Sequence, residues 1–67
     1  MHVTLTTPNG FSCINVVKTN SIELVLNKIN VSFTSEKTPD IVVIYRDVIE
    51  ARLAYKNFMT DLAHRSS

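Results

Sequence analysis

The run Ile41-Val42-Val43-Ile44-Tyr45, bounded by Pro39-Asp40 before it and Asp47 after it, constrains this chain more than any other feature. An unbroken β-branched stretch too short for a helix reads as a strand buried in the middle of a sheet. A helix start follows it. Asp47 is placed to accept from the free N–H groups of a first turn, and Glu50, three residues on, to complete a capping box. The helix is expected to run to about His64, with Val48, Ala51, Tyr55, Phe58 and Leu62 as its apolar seam and Ile49, Leu53 and Met59 widening it. Arg65-Ser66-Ser67 is expected to fray.

Upstream, Val3 and Leu5 alternate with His2, Thr4 and Thr6, the pattern of a short edge strand with one wet face. Thr7-Pro8-Asn9-Gly10-Phe11 has the residues of a type I turn closed by a bulge. If Thr7 faces Phe11, then Leu5 faces Cys13, and Val3, Leu5, Phe11, Cys13 and Val17 share the core side. The other side then carries His2, Thr4, Thr6, Ser12, Ile14 and Val16. Asn20-Ser21-Ile22-Glu23 has the form of a second helix start, followed by Ile22, Val25, Leu26 and Ile29 as a stripe and Asn30 as a stop. Val31 and Phe33 alternate with Ser32 and Thr34 as a further strand.

Each half therefore reads strand, strand, helix, with Val3-Thr4-Leu5-Thr6 matching Val31-Ser32-Phe33-Thr34 and Asn20 to Glu23 matching Asp47 to Glu50. The pattern is an internal ββα repeat over residues 2–30 and 31–64. The expected fold is α+β, ββαββα: a four-stranded antiparallel sheet of order 1-2-4-3 with two helices on one face, a circularly permuted ferredoxin-like arrangement. The same pattern permits two hairpins that pair differently, or a domain-swapped dimer.

At 67 residues the chain is expected to form a single domain, 1–67, near the lower size at which a core holds unaided. A partner or a second copy would add useful stability. The single Cys13 cannot close an internal disulfide, which favours a reducing cytoplasm. The first residues lack the pattern of a signal peptide, and no apolar run reaches the roughly 20 residues of a membrane span. A net charge of +1 gives no general pull toward nucleic acid or an anionic membrane.

In this register Ile14, Val16, Val42 and Ile44 form the centre of a sheet face turned away from the helices, with His2, Thr4, Thr6, Ser12, Ser32 and Thr34 as its rim. An apolar middle with a hydroxyl rim is what a contact surface looks like. Lys18 and Arg46 are expected at the same end of two parallel strands beside both helix N-termini, with Glu23, Asp47 and Glu50 balancing them. Arg52 and Lys56, one turn apart on the last helix, could meet an acidic partner. Cys13, His2 and His64 fit no metal pattern, and no cofactor or catalytic site is expected. Tyr45 and Tyr55 are expected at the core edge with hydroxyls reaching water.

These residues favour a small non-enzymatic interaction module: an adaptor or stoichiometric inhibitor of a larger host or cellular protein, of a kind often made by phages and mobile elements, with self-association as a homodimer also foreseen. Its expected contact residues are Ile14, Val16, Val42, Ile44, Thr4, Arg52 and Lys56. The alternative is a nucleic-acid-associated regulator using Lys18, Arg46, Arg52 and Lys56, although the sheet face lacks the aromatic platforms such binding needs.

Overall fold

The computed structural model describes residues 1–66, which form β1 (His2–Thr7), β2 (Gly10–Asn15), a 3-10 turn (Val16–Lys18), β3 (Thr19–Val25), β4 (Lys28–Phe33), β5 (Ile41–Ile44) and α1 (Val48–Ser66). The strands make two antiparallel sheets, β1-β2 and β3-β4-β5. The fold is α+β, but the four-stranded sheet with two helices is overturned: there are five strands in separate sheets and one helix. The permuted ferredoxin-like topology goes with it.

The first expected helix is the origin of the difference. Asn20 to Val25 lies in β3, and β3 returns through Leu26-Asn27 into β4. Four apolar residues at helical spacing lose here to a period of two, in which Ile22 and Leu24 pair with Val31 and Ile29 across the hairpin. A helix this short would also have been marginal on its own. The turn is hard to recognise because Leu26 has φ 54°, a conformation usually left to glycine or asparagine. The parallel between the two halves accordingly ends at the strands.

The first hairpin forms where expected, but its turn contains Pro8 and Asn9 alone, so Thr7 pairs with Gly10, Leu5 with Ser12 and Val3 with Ile14. Gly10, at φ 138°, takes the backbone shape that closes this shorter loop. A register one residue away from the expected one turns every side chain of β2 over. Ile14 is therefore buried, while Phe11, Cys13 and Val17 are exposed rather than core.

The core joins Val3, Leu5 and Ile14 of the hairpin, Ile29 and Val31 of β4, Tyr45, and Ala51, Ala54 and Phe58 of α1. Phe33 and Val43 pack against it from partly buried positions. Helix α1 lies closest to β1, and its two buried alanines keep that approach short. The Glu50 N–H donates to Asp47 Oδ1 at 2.7 Å, so Asp47 caps the helix as its position foretells. Ile49, Leu53 and Met59 do not widen the buried seam but face solvent. At the far end Arg65 does not fray: it pairs with Asp61 and donates from Nη1 to the His2 carbonyl at 3.3 Å. Ser67 lies outside the described residues.

Two stability changes follow from this packing. Phe58→Ala should cost about 3–5 kcal/mol, which in so small a domain approaches the whole stability. A denaturant titration giving F58A the parent's midpoint would show that Phe58 does not hold the layers together. Leu26→Asn should instead stabilise by about 0.5–1 kcal/mol, since the exposed leucine loses no packing and asparagine tolerates positive φ. Its signature is a raised melting temperature.

Candidate interaction surface

The register of the three-stranded sheet sorts its side chains into two faces. Ile22, Val31 and Ile41 line up across the sheet toward the core, as do Leu24, Ile29 and Val43. The opposite face carries the rows Glu23–Asn30–Val42 and Val25–Lys28–Ile44. Strand β5, read in the sequence as a central strand, is instead the last strand of its sheet, and it is buried on one face only. Its alternate apolar side chains have no core to enter. Val25, Val42 and Ile44 are 54%, 56% and 64% exposed.

Val25 and Val42, with Glu23, Lys28 and Asn30, line a shallow hollow of about 290 Å³. Within it the Asn30 Oδ1 is shielded from solvent and has no hydrogen-bond partner. A desolvated carbonyl oxygen without a donor costs stability. Glu23 and Lys28 make no side-chain hydrogen bond or ion pair among the described residues, so one charge of each sign flanks the apolar centre.

The expected contact residues do not gather on one surface. Val42 and Ile44 lie on the outer face just described, but Ile14 is 0% exposed and belongs to the core. Val16 is partly buried against the same core. Thr4 is exposed on the outer side of the first hairpin, opposite Cys13 and beside the Thr6–Phe11 pair. Arg52 and Lys56 are exposed on α1, where they border a second hollow with Ile49 and Leu53. Lys18 ends the 3-10 turn and Arg46 leads from β5 into α1. No parallel strand pair brings those two cations together, because every ladder is antiparallel. The free N–H of the helix start is already met by Asp47, and Glu23 sits on β3 instead of a helix end.

Val25, Asn30, Lys28 and Phe11 were missed as surface residues. Alternation along Glu23-Leu24-Val25 could have found the first, and a two-residue turn at Pro8-Asn9 the last. Asn30 carried no signal, since its exposure depends on which strands flank β4.

Tyr45, at the end of β5, holds this sheet to the rest of the fold. Its N–H donates to the Asn27 carbonyl at 2.8 Å, and its own carbonyl accepts from Asn27 Nδ2 at 2.9 Å. The hydroxyl does not reach for water as expected but donates to the Thr6 carbonyl in β1 at 2.6 Å. Burial first, and the nearby Glu50 carboxylate second, push the phenol's pKa up from its usual value. The neutral, donating form is the one this site favours.

Among the described residues no group of three or more His, Cys, Asp or Glu could hold a metal ion. Cys13 is an exposed free thiol, not the core residue expected. No helix is long and apolar enough to cross a membrane. Comparison with family models, with curated proteins and with solved structures finds no match to this chain.

Tyr45→Phe should lose about 1 kcal/mol by removing the bond to Thr6. It should also change the response to alkali. Because the folded state holds the phenol proton more tightly than the unfolded chain, this group's contribution is intact below the unfolded pKa and is lost as pH rises through the folded one. The gap in melting temperature between parent and Y45F should therefore narrow above about pH 10. A gap that stays constant through that range would detach Tyr45 from any such role.

Proposed function

We propose that this chain is a non-enzymatic protein-binding module that docks on a larger protein through the outer face of β3-β4-β5, as an adaptor or a stoichiometric inhibitor. The observation that carries this reading is the exposure of Val25, Val42 and Ile44 on two adjacent rows of the same sheet face. A β-sheet with one face on the core normally turns polar side chains outward, whereas β5 turns out valine and isoleucine. A partner covering the face would desolvate that apolar centre and leave Glu23 and Lys28 as its charged rim. The free thiol of Cys13 supports action in a reducing cytoplasm.

The nucleic-acid reading finds less support. Arg52 and Lys56 share the helix with exposed Ile49 and Leu53, while Lys18 and Arg46 lie on other elements. Those cations do not form one phosphate track.

The test is a capture experiment from lysate with structure-sorted variants, the folded state being checked by circular dichroism. Ile44→Glu should keep the fold, because the side chain faces solvent, and should remove the captured protein by placing a charge in an apolar contact. Ile14→Lys should collapse the fold, since it buries a charge in the core. If I44E still captures the partner and Arg52→Ala/Lys56→Ala does not, the site belongs on α1. Capture that weakens steeply with salt, and that nuclease abolishes, would instead return nucleic acid as the ligand.

A further inference from the structure

The open edge of β5 has a chemistry of its own, distinct from the face beside it. The bond from the Tyr45 N–H to the Asn27 carbonyl sets the phase of the β4–β5 ladder. In an antiparallel pair, residues whose backbone groups point at the neighbouring strand alternate with residues whose groups point away. With Tyr45 turned toward β4, Val43 and Ile41 are turned the same way, and Val42 and Ile44 present their N–H and C=O groups outward. Strand β5 ends its sheet, and among the described residues no hydrogen bond outside the ladder involves Val42 or Ile44.

Other edges in the molecule are guarded in whole or in part. The outward carbonyls of β1 receive Tyr45 Oη at Thr6 and Arg65 Nη1 at His2, under the cover of α1. Strand β3 has a register shift between Thr19 and Ser21 and carries Glu23. On β2 the Asn15 carbonyl is taken by Thr19 Oγ1. Strand β5 has no charge, proline or bulge within Ile41–Ile44, the devices by which edges usually repel another strand.

We propose that β5 pairs antiparallel with β5 of a second copy of this chain, about a two-fold axis at Val43, to join two three-stranded sheets into one. What selects a second copy as the occupant is the sequence read outward from that axis. Val42 falls opposite Ile44 of the other copy, each pair exchanging both backbone hydrogen bonds, because both residues are of the outward kind. One step further Ile41 falls opposite Tyr45, and the next step sets Asp40 opposite Arg46. Both of these charges are exposed and neither has an ion-pair partner among the described residues. The two-fold repeats each pairing, so each Asp40 meets an Arg46. The free edge of β2 offers no such match, since no charged residue lies within Gly10–Asn15.

This inference rests on the proposed use of the sheet as a contact element, but the two can fail separately. Sedimentation of the full chain over a concentration series should show a monomer–dimer equilibrium. Val42→Pro removes one outward N–H and leaves the ladder to β4 untouched, so it should give a folded monomer. Should V42P unfold, the charge variants decide. Asp40→Arg and Arg46→Asp should each weaken dimerisation roughly ten-fold by setting like charges opposite one another, and the double exchange should restore it. A chain monomeric at every concentration, a V42P variant that dimerises like the parent, or a double exchange no better than the single ones would overturn the pairing. Continued capture of a larger protein by any of these monomers would leave the binding-module reading standing.

Discussion

The structure depends on the way Tyr45 is fastened. Two sheets that share no ladder must be held in one domain, and this residue is bonded to both. Its backbone is paired to Asn27 at the β3–β4 turn, and its hydroxyl to Thr6 at the end of β1. The ring between them is 3% exposed, so the polar ends are linked through a packed apolar body. Glu50, in the first turn of α1, lies close enough to raise the phenol's pKa. One residue, through its backbone and its hydroxyl, thus links the hairpin to the sheet beside the start of the helix.

The division between fold and surface follows from that arrangement. The helix spends Ala51, Ala54 and Phe58 on the core and leaves Ile49 and Leu53 outside. The sheet spends Ile29, Val31 and the inward half of β5. Val25, Val42 and Ile44 are left over, too apolar for solvent to be their natural neighbour and too far from the helix to be covered by it. In a chain with so little core to spare, apolar residues kept out of the interior call for an explanation outside the chain. The proposed partner face answers it, and the proposed β5 pairing would extend that face across two copies.

Much of the fold was legible in the residues, and the failures have local causes. The helix from Asp47, its cap and its Ala51–Phe58 seam follow from spacing alone, because every determinant lies within a few residues. The first hairpin was legible as an element but not in register, since one residue more or less in the Pro8-Asn9 loop decides which face Ile14 takes. The second hairpin was hidden by Leu26, which occupies a turn position that seldom takes a leucine. At the candidate site, the outward placement of Val42 and Ile44 followed from alternation. Which neighbours they have did not, because that depends on β4 lying between β3 and β5.

The contact between Arg65 and the His2 carbonyl joins residues 63 positions apart, and that between Tyr45 and Thr6 residues 39 apart. Such pairings form late, because closing long loops costs entropy before any contact is gained. During synthesis the first hairpin is complete as a chain long before α1 exists to cover the β1 edge. Until then its outward carbonyls are solvated. The β1 edge is therefore covered only once α1 has been made, so the hairpin precedes the contacts that complete it.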